Sequence, residues 1–435
     1  MKNGFGTLPD DAITRSGLKN GVRVVCASLP HVHRTAVTLH IRSGSRFERE
    51  GLGGISHFHE HMLHRGTGAH PSAHALALAF EELGSELGAA TYVDHTVLAA
   101  GAPVENVARV IELLGDVVQN PVFSAIETER GIVREEILES LNDRGESVDA
   151  DEALISLAFP NHGLGRPIAG SIDALDHFDV PTLSAFHAAH YHASGLVVSV
   201  AGPIDVAEVN ATVERAFAGL PPGNVPSDSA PPPMAGPAFR YVNDSGSQTA
   251  LRVAFRAPSE QDPMEPAAEL LLRTLDDGMS TRLYHQVCDE RGLAYDVSAS
   301  YEAFNDSGLF TIAGESAHGS AERLLRAFFE VVKELCQHGP SEAELSKAKR
   351  RFAWQMRSVL DDPGELAAFL GLGELTHTAL SPSLRAQELL QVPLSAVHAA
   401  AQRIFQPSEL AVVAVGDLTT TQRRGLERAL RSFGR

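Results

Sequence analysis

The sequence predicts an α+β protein built from two homologous halves, each an α/β sandwich of a mostly antiparallel sheet and helices. Three observations lead to this prediction: a repeat at a constant offset, strand patterns followed by helix patterns, and a proline-rich segment in the middle. That segment, residues 220–237, contains seven prolines and is expected to be an extended linker. The predicted domains are therefore residues 1–219 and 238–435.

The repeat consists of two pairs of matching segments. Residues 35–42 match 249–256, and residues 194–202 match 408–416, in both cases at a shift of 214. Two matches far apart in the chain at one shift indicate a duplicated domain of about two hundred residues. Chance similarity between β-rich segments is the alternative explanation.

Strand patterns precede helix patterns within the halves. The segments rich in β-branched and apolar side chains are 22–27, 35–41 and 196–201. Apolar residues recur with helical spacing over 104–118, 125–141 and 321–336. This order favours helices packed on a mostly antiparallel sheet over alternating parallel units.

The composition excludes several classes of protein. Of 435 residues, 43% are hydrophobic and 21% are charged, which is typical of a globular chain rather than a disordered or fibrous one. No apolar run is long enough to span a membrane, and a net charge of −19 argues against binding nucleic acid or an anionic membrane. Three cysteines are too few for a disulfide framework, and residues 1–11 show no secretory signal. We therefore expect a cytoplasmic protein.

The segment most informative about function is 51–68. In it, His57, Glu60 and His61 form the motif H-x-x-E-H. Residues four apart lie on one face of a helix, so both imidazoles can reach a single zinc ion about 2 Å from each nitrogen. Glu60 then lies beside that ion without having to bind it, which is the place for a general base. His59 is expected to be buried or half-buried on the far side, and a histidine-rich, partly solvated helix is the alternative interpretation.

A catalytic zinc ion needs a third protein ligand. Glu129 and Glu136 are seven residues apart, which is two helical turns, so they share one face of a predicted helix. One of them could bind the metal while the other supports it from behind. On pattern alone, an exposed acidic helix face is the better interpretation. His64, three residues after His61, is a weak rival for the third ligand.

Three motifs in order give the chain a family resemblance: LKNGVRVV at 18–25, HFHEH at 57–61 and ERGIVREE at 129–136. With these motifs the sequence resembles the pitrilysin and insulinase metallopeptidases of family M16. It is most similar to the short-chain branch, M16B, which includes the mitochondrial processing peptidase. The resemblance implies a zinc endopeptidase that cleaves extended peptides in a closed chamber, with one zinc ion per chain.

The resemblance also implies roles for individual residues. The metal ligands are His57, His61 and Glu136, the general base is Glu60, and the supporting carboxylate is Glu129. At the shift of 214, the ligands and the base correspond to Leu271, Thr274, Leu275 and Arg350 in the second half. We therefore expect one metal site, in the first half, and a second half that keeps only the scaffold.

Segment 88–96 is similar to the edge strand on which family members hold a peptide by main-chain pairing. The substrate-binding residues implied by this similarity are Ala89, Ala90 and Thr91. Gly88 stands where the family usually has asparagine, so a polar side-chain contact is lost while main-chain pairing remains available. An ordinary internal strand is the alternative.

The second half departs from the family pattern at one position. Active family members place an arginine and a tyrosine seven residues apart, and this pair binds the substrate carbonyl and stabilises the developing oxyanion. Tyr295 is present and is implied to be catalytic, but the arginine position is Cys288. Arg291 aligns with a different, structural arginine. A cysteine cannot replace a guanidinium as a charged donor.

This departure leaves more than one oligomeric state consistent with the sequence. The favoured interpretation is that the chain is the metal-bearing subunit of a heterodimer, in which a homologous partner supplies the Arg/Tyr pair. A weak enzyme acting alone and a homodimer are the alternatives. Two other functions compete with a peptidase: a non-catalytic assembly subunit of the processing-peptidase type, and a zinc-storage protein built on the histidine-rich segment.

Overall fold

The computed structural model describes residues 12–433, and within that range the chain forms eleven strands in two sheets. In chain order the strands are β1 (Ile13–Gly17), β2 (Arg23–Ser28), β3 (Thr35–Ile41), β4 (Gly88–Thr91), β5 (Thr96–Ala102), β6 (Leu196–Gly202), β7 (Ala238–Val242), β8 (Thr249–Ala257), β9 (Val297–Ala303), β10 (Gly308–Ser316) and β11 (Leu410–Val415).

Both sheets are mixed but mostly antiparallel, as predicted. The first has the strand order β1-β2-β6-β3-β5-β4 and the second has the order β7-β11-β8-β10-β9. The parallel pairs are β2 with β6 and β7 with β11, and the remaining neighbours are antiparallel. The short strand β4 lies at one edge of the first sheet.

The two sheets share a topology and a register. Strands β2, β6, β3, β5 and β4 of the first sheet correspond in order to β7, β11, β8, β10 and β9 of the second. Leu39 lies opposite Val198 in the first sheet. Val253 and Val412, each 214 residues later, lie opposite each other in the second. The predicted duplication is therefore confirmed at the level of residue pairing.

A glycine at the end of the central strand is duplicated as well. Gly202 and Gly416 have φ angles of 149° and 155°, which side chains rarely adopt. A Cβ atom at these positions would lie only 2.8 Å from Thr35 Cα and 3.0 Å from Thr249 Cα. The same steric constraint thus recurs at the same shift, because both sheets repeat the close approach of this glycine to the first residue of the neighbouring strand.

Sixteen α-helices accompany the sheets in the described range: α1 (Ile55–Leu63), α2 (Ala73–Glu81), α3 (Val107–Gln119), α4 (Ile126–Glu139), α5 (Ala150–Ala158), α6 (Ile172–Leu175), α7 (Val180–His190), α8 (Val206–Ala216), α9 (Glu265–Leu275), α10 (Arg282–Tyr284), α11 (Ala321–His338), α12 (Glu342–Ser358), α13 (Pro363–Leu375), α14 (Pro382–Gln391), α15 (Leu394–Ile404) and α16 (Thr420–Phe433). The helices predicted over 104–118, 125–141 and 321–336 correspond to α3, α4 and α11. No helix in residues 12–433 combines the length and the apolar character that crossing a bilayer requires.

The chain folds into two compact units that are not contiguous in sequence. The first unit contains residues 12–137, 166–228 and 355–385, and the second contains 138–165, 229–354 and 386–433. The units therefore depart from the predicted domains, 1–219 and 238–435. Residues 138–165 belong to the second unit, and residues 355–385 belong to the first. Residues 221–236, which lie within the predicted linker, form neither helix nor strand.

The exchanged segments carry equivalent helices. α5 comes from the first half of the sequence but packs on β8 and β11, where Arg252 of β8 binds Asp151 at 2.7 Å. α13, displaced by about 214 residues from α5, packs on β3 and β6. Apolar spacing specifies that a helix has a buried face but not which sheet covers it, so the exchange could not be predicted from the sequence.

Candidate metal centre

The helix that carries the H-x-x-E-H motif is fixed at its start by a buried carboxylate. α1 begins after Gly54, whose φ is 91° and whose added Cβ would lie 2.4 Å from the Ala169 carbonyl oxygen. Glu48 accepts hydrogen bonds from the N–H groups of Gly54 and Ser56, each at 2.9 Å. Burial raises the pKa of Glu48 to about 7, while these backbone hydrogen bonds oppose the shift. The cap fixes where α1 begins and thereby where its histidines lie.

α1 presents one face to the core and another to the metal centre. Phe58 and Met62 are fully buried. His57 and His61 lie one turn apart on a different face, and their Nε2 atoms are 3.1 Å apart. Helical spacing of four residues therefore brings the two imidazoles together, as the motif predicts.

Glu136 of α4 contributes the third potential ligand atom. Its Oε1 is 3.5 Å from His57 Nε2, and its Oε2 is 3.8 Å from His61 Nε2. Ligand atoms about 2 Å from a tetrahedral zinc ion lie roughly 3.3 Å apart, so the three side chains fit one ion. Among residues 12–433 this is the one group of three or more potential metal-binding side chains whose ligand atoms all lie within 4.8 Å of one another, and it does not include His64.

Glu129 orients one of the two histidines. His61 Nδ1 is 2.9 Å from Glu129 Oε1. Because a carboxylate can only accept, Nδ1 carries the proton and the lone pair of Nε2 faces Glu136. Glu129 is buried, and Arg65 binds it in an ion pair. α4 thus places Glu129 and Glu136 on one side, two turns apart, as their spacing predicts.

Burial keeps His57 and His59 of α1 neutral. It lowers the pKa of His57 to about 4, with a further contribution from neighbouring His61. Neutral imidazole is the form that binds a metal ion. The predicted burial of His59 is confirmed: it is fully buried, and its Nε2 lies 3.1 Å from His187 Nδ1. Its burial, together with His187, lowers its pKa well below the usual value.

Glu60 precedes His61 in α1 but does not belong to the group of three potential ligands. The residue is 8% exposed, and the hydroxyl of Thr91 donates a hydrogen bond to Oε2 at 2.8 Å. Burial raises the pKa of Glu60, while the Thr91 hydrogen bond and the charge of His61 oppose that shift. A buried carboxylate held by the Thr91 hydroxyl and backbone, next to a group of side chains that could bind a metal ion, has the properties of a general base.

The predicted substrate-binding residues lie on β4. Ala89 and Ala90 pair with Leu98 and Val97 of β5, and the opposite side of β4 is the edge of the sheet. β4 is therefore an edge strand rather than an internal one. Its use by a peptide stays a prediction, whereas the contact between the Thr91 side chain and Glu60 was not predicted.

Sequence comparisons agree with this geometry. Residues 23–171 match the family described as "Insulinase (Peptidase family M16)", and residues 177–352 match "Peptidase M16 inactive domain". An uncharacterized zinc protease of Rickettsia felis is 31% identical over 348 residues, which cover 79% of this chain and 82% of that protein. The chain belongs to the M16 peptidase family.

Other M16 proteins resemble it over most of their length. An uncharacterized zinc protease of Mycobacterium bovis is 31% identical over 402 residues, with 90% of each chain covered. The crystal structure of an M16 inactive domain from Pseudomonas fluorescens has a TM-score of 0.86 at 22% identity and covers 94% of this chain and 98% of its own. A protease from Helicobacter pylori has a TM-score of 0.85 at 18% identity, covering 93% and 99%. These two structures share the M16 fold.

The second unit of this M16 chain has apolar side chains where the first unit has His57 and His61. Leu271 and Leu275, which correspond to His57 and His61 at the shift of 214, are fully buried in α9. Thr274 donates its hydroxyl hydrogen bond to the Leu271 carbonyl at 2.8 Å. The duplicated helix has therefore become part of an apolar core.

Tyr295 is 94% exposed in the second unit. It lines a cavity of about 290 Å³ together with Arg252, an arginine that no family motif indicated. Cys288, at the usual arginine position, has a thiol whose pKa is raised by burial and by the charges of Asp296 and Asp289, so it stays a neutral, weak donor. Arg291 binds Glu330 at 2.6 Å, which fits the structural role expected for it.

Proposed function

We propose that this chain is a zinc-dependent endopeptidase that hydrolyses extended peptides. The observation that carries the proposal is the convergence of His57, His61 and Glu136 on one point, with the buried carboxylate of Glu60 on the same turn of α1. Two histidines, one glutamate and a separate general base form a donor set typical of hydrolytic zinc sites. Relatives named zinc proteases support the same conclusion.

The residues of the chain divide the reaction between them. When bound, zinc polarises the scissile carbonyl and lowers the pKa of water. The oxygen of the attacking water bonds to the carbonyl carbon, and Glu60 accepts a proton from that water. When the C–N bond breaks, Glu60 passes that proton to the leaving amine. Glu129 keeps His61 in the tautomer that leaves Nε2 free for the metal.

The substrate of this reaction is proposed to be a peptide in an extended conformation. The free edge of β4 offers main-chain groups of Ala89 and Ala90 for strand addition, which recognises backbone more than side chains. Folded proteins have few free extended segments, so unstructured peptides fit this strand best. We propose a cytoplasmic location because Cys26, Cys288 and Cys336 are free thiols, as expected in a reducing compartment.

We expect the purified chain to bind one zinc ion and to depend on it for peptide cleavage. Metal content can be measured by mass spectrometry and cleavage with an unstructured fluorogenic peptide. Activity should disappear after dialysis against a chelator and return with one equivalent of zinc. Several weakly bound ions would support zinc storage instead. One tight ion without cleavage, alone or with a homologous partner, would support the non-catalytic assembly subunit.

We further propose that a homologous partner subunit supplies an Arg/Tyr pair, because Cys288 replaces the arginine of this chain. Loss of one donor to a developing oxyanion commonly lowers turnover by about a hundredfold or more. Cleavage by the isolated chain should therefore be weak and should rise by a similar factor on mixing with a homologue that has the pair but lacks zinc ligands. Full activity of the isolated chain would contradict the heterodimer.

Arg252 provides a further test, because it lines the same cavity as Tyr295. If the isolated chain is active, and if Arg252→Gln removes that activity while Asp151→Asn, which breaks the same ion pair, does not, the guanidinium comes from the chain itself. If the isolated chain is active only as a dimer of identical chains, the homodimer is supported. Size-exclusion chromatography with light scattering distinguishes the assemblies.

A further inference from the structure

The proposed base, Glu60, is held by the strand proposed to bind substrate. Thr91 is the last residue of β4, and its hydroxyl donates to Glu60 Oε2 at 2.8 Å. Glu60 itself is on α1, which packs against β4. One residue therefore connects the edge strand with the carboxylate next to the metal ligands.

Thr91 is itself fixed by the hairpin that follows it. Its partner across the ladder, Thr96, is fully buried and donates its hydroxyl to the Ser43 carbonyl at 2.9 Å. The turn closes with Tyr92 N–H donating to the His95 carbonyl at 2.8 Å, and the rings of these two residues stack with centroids 4.5 Å apart. The hairpin contacts of Thr96, Tyr92 and His95 thus fix the backbone position of Thr91, from which its hydroxyl reaches Glu60.

Hydrogen bonds donated by Thr91 restrain the orientation of the Glu60 carboxylate. The Thr91 hydroxyl binds Oε2 of the carboxylate, and the Thr91 backbone also hydrogen-bonds to Glu60, so two groups of one residue hold the proposed base. Without the hydroxyl, only the backbone hydrogen bond of Thr91 remains, and the carboxylate is less restrained about its last bond, since terminal torsions of this kind have broad preferences. A displacement of about 1 Å in a reacting group can lower turnover by roughly a hundredfold.

We propose that Thr91 is a positioning residue: its hydroxyl orients the Glu60 carboxylate, while the main chain of the same strand binds the peptide. The proposal rests on the proposed peptidase function. It gives Thr91 a role different from that of Ala89 and Ala90, which contribute only main-chain groups. Strand addition of a peptide and orientation of the base then depend on the same short strand.

The test compares Thr91→Val with Thr91→Ser in the full chain, assayed in whichever assembly cleaves the fluorogenic peptide. Valine keeps the shape of threonine but cannot donate, whereas serine keeps the donor. We expect Thr91→Val to lower kcat by about tenfold to a hundredfold, with KM changed by less than about twofold. Thr91→Ser should recover most of the loss, and zinc content should stay at one ion per chain in both.

Thr35→Val is the matched control. Thr35 lies in the same sheet and is buried, and its hydroxyl has no hydrogen-bond partner among the described residues. The same chemical change there should leave kcat unaltered. If the valine at position 91 prevents folding, Thr91→Ala removes the donor without adding a methyl group, and the same loss of kcat is expected.

Two results would overturn the positioning role: a kcat for Thr91→Val equal to that of Thr35→Val, or a loss confined to KM. Assaying Glu60→Gln beside these variants separates this inference from the proposed function. An inactive Glu60→Gln with a fully active Thr91→Val contradicts only the role of Thr91. An active Glu60→Gln contradicts the proposed function. In the double variant the Thr91 change should add no further loss, because its effect passes through Glu60.

Discussion

Replacing Glu60 by glutamine should abolish peptide cleavage while one zinc ion stays bound. The amide has the same shape, and its oxygen can still accept the hydrogen bond that Thr91 now donates to Oε2. It cannot take a proton from water as a carboxylate does, and general base catalysis commonly contributes about 10² to 10⁴ in rate. We therefore expect kcat to fall by at least that factor, measured with the fluorogenic peptide and accompanied by metal analysis.

The control for this substitution is Glu50→Gln, which makes the same chemical change at an exposed residue outside the metal centre. Its turnover should equal that of the unmodified chain. Binding of an uncleaved peptide to Glu60→Gln, measured by fluorescence anisotropy, should also be normal, since β4 rather than Glu60 is proposed to hold the main chain. Turnover within about twofold of the unmodified chain would remove Glu60 as the base.

The parts of the metal centre that the sequence predicted are those set by local spacing. His57 and His61 are four apart on one helix, so any regular helix brings them together. The position of Glu60 beside these two histidines follows from the same helical geometry. Glu136 lies on another helix, and helical spacing alone favoured an exposed acidic face; only the family motif indicated that this face would meet α1. The structure supplies that contact through distances of 3.5 and 3.8 Å to the two histidines.

The features that the sequence did not predict depend on tertiary packing. The exchange of α5 and α13 between the sheets, the hydrogen bond from Thr91 to Glu60, and the cavity shared by Arg252 and Tyr295 all join segments distant in sequence. Periodicity identifies a buried face or an edge strand, but it contains no information about which residue will lie opposite. The repeat at 214 residues was the exception, because a duplicated sequence also duplicates its contacts.

Replacing Glu136 by glutamine should cause the largest loss of zinc affinity among the acidic residues of α4. Glu136 is the one carboxylate of the three-residue ligand group, and it joins α4 to the histidines of α1. A neutral amide oxygen is a weaker ligand than a carboxylate, and the two remaining histidines cannot by themselves complete a catalytic site. Zinc affinity can be measured by competition with a coloured chelator.

Two neighbours on the same helix make this experiment quantitative. Glu129→Gln removes the carboxylate that accepts from His61 Nδ1 and should lower zinc affinity by about 10- to 100-fold, the usual effect of losing a residue that orients a metal ligand. Glu135→Gln changes a residue outside the ligand group and should change nothing. The expected order of losses is therefore Glu136 first, Glu129 second and Glu135 last.

The same series can be followed through stability, because an ion that binds only the folded chain stabilises it. At a free zinc concentration of about 100 times the dissociation constant, this stabilisation is about 2.7 kcal/mol. Adding zinc at that concentration should raise the melting temperature of the metal-free chain and of Glu135→Gln equally. At the same concentration the rise should be smaller for Glu129→Gln and smallest for Glu136→Gln. An equal rise in all four proteins would mean that the ion binds away from α4, and the proposed metal centre would be wrong.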